Sequence, residues 1–182
     1  MKKWFLIMVT ALLSSGFSGT AQTDDSNINY RFINEYGAFF GGGSNSTITG
    51  FTGVFINGID INKTNFIGIG LGYESDAFAS QSIPVFLNFR HIFPSSKVLK
   101  PLVNIAIGTR FSFWSEDQII GYDPFYLYPI YGDPIQKYAI GIYSTVATGF
   151  NVHAFSFTSG LFFKSVGPKF FAGIEVKCGF SL

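Results

Sequence analysis

The segment Phe66–Glu74, FIGIGLGYE, alternates with a period of two. Ile67, Ile69, Leu71 and Tyr73 point one way, and Gly68, Gly70, Gly72 and Glu74 point the other, as on a strand with two unlike faces. The pattern recurs. Ile83, Val85, Leu87 and Phe89 oppose Asn88 and Arg90, and Val103, Ile105 and Ile107 oppose Asn104, Ala106, Gly108 and Arg110. In a soluble sandwich the bulky face would form the core and the other face would be charged and solvated. Here the second face is mostly Gly, Ala, Ser, Thr and Asn with isolated charges. Such a face covers poorly against water but fits a crowded barrel lumen. The bulky face is therefore expected to point outward to lipid, as in transmembrane barrels, with a soluble sandwich as the alternative.

Past residue 29 no stretch shows a helical period. Eight strands are expected near 30–41, 47–61, 66–75, 82–93, 100–114, 137–150, 154–164 and 170–182. Most exceed the roughly 9–11 residues that cross the hydrocarbon at a tilt. The predicted fold is all-β, an eight-stranded antiparallel up-and-down transmembrane β-barrel. An even strand count puts both termini on one side, the periplasmic side of such barrels. The tight connections at 62–65, 94–97 and 151–153 then belong to the periplasm, and those at 42–46, 76–81, 115–136 and 165–169 lie outside. Asn57-Gly58 resembles a hairpin signal, but the alternation runs through Ile59 and Ile61, so Gly58 is read as lumen-facing.

Composition narrows the function classes. Of 182 residues, 13% are charged, against about 25% in ordinary soluble domains. Twelve Lys and Arg against eleven Asp and Glu leave no basic face for nucleic acid. A single cysteine, Cys178, excludes an internal disulfide framework and a Cys-rich zinc site. The N-terminus reads as an address: Lys2 and Lys3 precede the apolar run Trp4–Leu13, and Gly19-Thr20-Ala21 offers small residues for cleavage before Gln22. The expected organisation is a secretory signal peptide over 1–21, a short periplasmic tail over 22–29 and the barrel over 30–182. No lipoprotein cysteine lies near the cleavage site, and no second domain is expected after the barrel.

With the signal peptide, FIGIGLGYE followed by SIPVFLNFRHIF, and the final strand FFAGIEVKCGFSL, the chain resembles the small outer-membrane β-barrel proteins of gram-negative bacteria. This is the porin-like family with OmpA-type eight-strand domains. Ile174, Val176, Cys178, Phe180 and Leu182 alternate outward to the last residue, where the family commonly has an aromatic residue and this chain has Leu182. The resemblance implies residence in the outer membrane, contact with its lipid, and recognition of the last strand by the barrel-insertion machinery. It implies location and fold more than activity.

The inward set predicted by alternation is Arg31, Glu35, Asp60, Glu74, Arg90, Arg110, Lys164, Glu175 and Lys177. Paired charges filling the barrel are the structural reading, because an unpartnered buried charge is costly. A selectivity ring in a narrow pore is the functional alternative. Glu35 and Lys177 are expected to be neighbours across the closing seam. Cys178 is expected to face lipid. Tyr30, Tyr36, Tyr73, Trp114 and Tyr138 are assigned to interfacial aromatic girdles, and the scattered Phe on the outward face to lipid contact.

A barrel enzyme acting on membrane lipid is the alternative, and it rests on the two histidines. Lipid A deacylases of this architecture carry His-x-Ser-Asn, whereas this chain has His91-Ile92-Phe93-Pro94-Ser95 and His153-Ala154-Phe155-Ser156. The spacing matches neither time, both histidines fall at periplasmic strand ends, and no nucleophile–base pair can be assembled. No catalytic residue, cofactor or metal is assigned. The connection 115–136 is the candidate external contact surface, through Tyr122, Phe125, Tyr126, Tyr128 and Tyr131. Tyr gives large, rigid contact area with a polar tip. The plainer alternative is that these rings extend the girdle or fold over the barrel mouth. Asp117, Asp123 and Asp133 match no calcium-loop spacing. No external ligand is identified.

Overall fold

The computed structural model describes residues 28–182, apart from 44–45, 63, 77–79, 96–97, 123–125 and 127. The predicted signal peptide, and the tail up to residue 27, lie outside the described residues. The elements are β1 (Ile28–Gly43), β2 (Ser46–Ile61), β3 (Asn65–Asp76), β4 (Gln81–Ile92) and β5 (Leu99–Glu116), then β6 (Ile119–Tyr122) and β7 (Pro129–Tyr131). They are followed by β8 (Ile135–Val152), β9 (Phe155–Val166) and β10 (Lys169–Ser181). Eight of them close an antiparallel ring in the order β1-β2-β3-β4-β5-β8-β9-β10, with β10 pairing back onto β1. β6 and β7 form a separate two-stranded sheet. This is the eight-stranded up-and-down barrel that the alternation predicts, each of its strands lying within a few residues of the expected range.

Closure matters because an open sheet would leave edge N–H and C=O groups that lipid cannot satisfy. At the seam, Tyr36 lies opposite Cys178, Gly37 opposite Lys177, and Phe39 opposite Glu175. Several hairpins are tight. Val152 pairs with Phe155 around His153-Ala154, with His153 at φ 55°, and Val166 pairs with Lys169 around Gly167-Pro168, with Gly167 at φ 58°. Asn62, at φ 57°, sits in the β2–β3 turn.

The faces separate as expected. Ile69 on β3 is 63% exposed on the outer wall, as are Leu87, Ile107, Leu161 and Ile174 to similar degrees, while the polar and small residues between them are inside. The interior holds two apolar clusters. One contains Ile33, Val54, Ile56, Phe66, Phe86 and Tyr143, and the other Phe39, Ile48, Phe162 and Phe171. The inward glycines make room for these rings. A Cβ on Gly70 would lie 2.3 Å from the Phe86 ring, and one on Gly37 would lie 2.7 Å from Cγ of Lys177.

The paired register of β8 with β9 starts at Tyr143–Lys164, and Ile142 N–H still donates to Ser165 Oγ at 2.8 Å, but from Ile135 to Tyr138 β8 is paired, among the described residues, with β5 alone. β5 likewise passes its last β4 partner, Gln81, at Phe113. The β5–β8 hairpin therefore projects as a two-stranded ribbon, at the end of the barrel opposite both described chain ends.

Candidate functional sites: the charged lumen and the projecting ribbon

All three arginines of the chain and three of its four glutamates point into the lumen, because each falls in the inward phase of its strand. They do not form a ring of like charge. Lys164 Nζ is 2.6 Å from Glu74 Oε1 and 2.9 Å from Glu175 Oε2. Glu74 also meets Arg110, and Glu175 also meets Lys177. The result is a continuous chain of alternating sign, Arg110–Glu74–Lys164–Glu175–Lys177. Arg110 Nε lies 2.9 Å from Glu74 Oε2 but off the hydrogen-bond direction, so this member is an ion contact without an aligned bond. Arg90 and Glu35 form a second pair at 2.8 Å, and Arg31 and Asp60 a third at 2.8 Å near the end that holds the chain termini.

The nine residues predicted to face inward all do so, with Arg31 the least buried. One pairing differs from expectation. Glu35 lies opposite Gly179 in the seam register and hydrogen-bonds across the lumen to Arg90, while Lys177 lies opposite Gly37 and pairs with Glu175 on its own strand. Adjacency of strands brought the two segments together, but the shear of the barrel set which side chains meet.

Sequence reasoning did not find the aromatic part of this lumen. Lys164 Nζ stands 4.3 Å from the Phe39 ring centroid, 4.6 Å from Phe162 and 5.3 Å from Tyr143, within cation–π range. Phe86 stacks on Tyr143 at 4.9 Å. Phe39, Phe66, Phe86 and Phe162 are buried inside the barrel. The signal was present: Phe39 is in phase with Glu35, Phe86 with Arg90, and Phe162 with Lys164.

Two of the assigned girdle residues also differ. Tyr36 sits in the middle of β1, with its ring beside outward-facing Gly53, where a Cβ would be 3.4 Å away. Trp114 shares the phase of inward Arg110 and Ser112, so it lies on the lumen-side face of the ribbon. Tyr30 and Tyr138 are exposed near strand ends, as a girdle requires. Cys178 is exposed on the outer wall, as expected.

Half of the 22-residue segment read as a loop is β-structure. β5 runs on to Glu116 and β8 starts at Ile135, joined by a Gln136–Ser115 hydrogen bond of 2.7 Å and a Lys137–Glu116 ion pair. β6 and β7 form the tip, where Gly132 N–H donates to Gln118 O at 2.7 Å. Tyr122, Tyr126, Tyr128 and Tyr131 are between 59% and 74% exposed, and Tyr126 and Tyr128 stack at 6.3 Å. Phe125 lies outside the described residues. Among the described residues no group of three or more His, Cys, Asp or Glu is placed to hold a metal ion.

The two histidines are separated from the ribbon. His91, at the end of β4, has Nδ1 2.7 Å from Asn65 Oδ1 and its ring edge-on to Phe93. His153 lies in the β8–β9 turn.

No family model matches the sequence, and a comparison with curated proteins finds no match. Solved structures do match. Neisserial surface protein A covers 86% of this chain and 97% of its own, at 12% identity and a TM-score of 0.57. The N-terminal β-barrel domain of Pseudomonas aeruginosa OprF covers 85% and 98%, at 13% identity and a TM-score of 0.51. Ail of Yersinia pestis, the attachment invasion locus protein, solved with the heparin analogue sucrose octasulfate, covers 85% and 98%, at 8% identity and a TM-score of 0.51. An apolar outer wall, a lumen of paired charges and this shared ring of eight strands give the chain the fold of the small eight-stranded outer-membrane β-barrel proteins.

Proposed function

We propose that the protein resides in the outer membrane, exported through a cleaved signal peptide, with its chain termini in the periplasm and the β5–β8 ribbon outside. In this reading it works without catalysis, by binding an external partner through the ribbon. The observation that carries the reading is the ribbon's exposed tyrosine set, Tyr122, Tyr126, Tyr128 and Tyr131, held beyond the barrel wall. Large rings of low flexibility bind at small entropic cost. The backbone edge of β8 over Ile135–Tyr138 pairs, among the described residues, with no strand besides β5, which offers a further docking edge. The ribbon end carries Asp76, Glu116, Asp117 and Asp133 against Lys137 and Lys169. Its charge does not favour a polyanion of the kind bound to Ail.

Deleting Gly121–Asp133 tests this. The variant should still insert, and should still migrate differently on gels before and after boiling, while losing attachment of whole cells to the surface or partner that the intact protein recognises. Failure of the variant to assemble would make the ribbon tip part of the fold. The rival reading, an enzyme acting on membrane lipid, predicts an acyl chain gained or lost in lipid A between cells with and without the protein.

A further inference from the structure

We propose that the terminal mouth of the barrel is a binding site for a small oxyanion, a phosphate or carboxylate group. A concavity of about 280 Å³ opens there, lined by Arg31, Ile92, Lys100, Asn151, His153 and Ser181. Arg31, Lys100, Asn151 and Ser181 come from strands on both sides of the ring, each in the inward phase of its strand, and His153 joins them from the β8–β9 turn. Lys100 precedes inward Leu102 and Asn104 on β5 and lies opposite Asn151 of β8. Arg31 is on β1, and Ser181 is on β10 across the seam.

Nearly every polar group here can donate. Arg31 commits Nη2 to Asp60 at 2.8 Å and keeps further N–H groups of its fork. Lys100 brings three donors and His153 an imidazole. Elsewhere in the lumen each base meets an acid, but here the matching stops. Among the described residues neither Lys100 nor His153 has a carboxylate oxygen within 4.0 Å, that of Leu182 included. Asn151, opposite Lys100, adds a side-chain amide to the lining. A concavity with low-dielectric walls concentrates the field of an unmatched cation, which favours a compact anion over water. The mouth opens along the barrel axis and not onto lipid. A soluble anion or the charged end of a larger molecule reaches it directly, and a lipid headgroup reaches it only over the rim.

The test uses the full barrel folded in discs of zwitterionic lipid, with inorganic phosphate titrated at constant ionic strength against chloride. The readout is the imidazole NMR signals of the two histidines. His153 should shift saturably and His91, outside the concavity, should not. Lys100→Gln should weaken the apparent affinity by about tenfold, the effect of losing one charge-assisted contact, and Lys100→Arg should restore most of it. Unchanged gel heat-modifiability shows that the variants are folded. Repeating the titration in anionic-lipid discs separates the sources. A His153 signal already shifted and insensitive to phosphate assigns the anion to a headgroup, and an unchanged titration assigns it to a soluble ligand. A non-saturating shift, equal shifts of both histidines, or full affinity in Lys100→Gln would overturn the site.

Discussion

Glu35 illustrates how far side-chain pairing can be read from a strand pattern. Its inward direction follows from phase alone, since it alternates with outward Tyr36 and shares a face with Ile33 and Gly37. Its partner does not follow, because reaching Arg90 depends on the width of the lumen and the shear of the ring. The same holds for Lys164, whose four-carbon stem lets Nζ lie between Glu74 and Glu175 while facing three aromatic rings. A buried pair is costly to break on one side, by about 3–5 kcal/mol, because the remaining charge is stranded. Glu35→Ala and Arg90→Ala should each destabilise the barrel in folding titrations, and the double variant should cost less than their sum by about 1–3 kcal/mol. The Glu35→Ala and Lys177→Ala pair, diagonal neighbours across the seam, should couple more weakly than this, because Lys177 has Glu175 as its direct partner. A coupling larger for Lys177 than for Arg90 would show that the seam, and not the lumen, holds Glu35.

At the scale of strands, legibility depended on whether the two faces differ. β3 has lipid-facing Ile67, Ile69 and Leu71 on one side and Gly68, Gly70 and Gly72 on the other, so its period is visible. The β5–β8 ribbon has water on both faces, which removes the need for alternation, and its Tyr, Pro and Asp residues read as a loop. Only pairing across Trp114–Lys137, Ser115–Gln136 and Glu116–Ile135 shows it to be sheet. The two faces of β3 should also respond differently to substitution. Ile69→Arg places a charge on the outer wall and should cost about 2–4 kcal/mol of folding free energy in bilayers near the midplane. Gly70→Ala instead drives a methyl into the Phe86 ring, 2.3 Å away, and its effect should be relieved by Phe86→Leu, whereas Ile69→Arg should gain nothing from that change. Equal rescue of both would contradict the assignment of faces.

For the molecule as a whole, the question is whether a ring of eight strands with so many charges inside conducts ions. Eight strands leave an interior just wide enough for side chains to fill. This one is filled by large side chains: Arg90, Arg110, Tyr143, Phe39, Phe66, Phe162 and Lys164 are all essentially inaccessible to solvent. The charge chain lies against Phe39 and Phe162 on one side and against the Phe86–Tyr143 stack on the other, through the contacts of Lys164 with Phe39, Phe162 and Tyr143. An ion entering would have to displace an internal ion pair and pass an apolar layer, and each step is costly where water is scarce. The protein should therefore show no steady conductance in planar bilayers. Removing the closure should change that. The combined substitution of Phe39, Phe162 and Lys164 by Ala takes away two rings and the cation that bridges Glu74 and Glu175, leaving those two acids facing a widened path. Such a variant, once its heat-modifiable mobility shows that it is folded, should conduct with little selectivity between cations and anions, because Arg110 and Lys177 still balance Glu74 and Glu175. A steady, ohmic conductance of the unmodified protein would mean that the layers part in the membrane, and the narrow-pore reading would then replace the binding one.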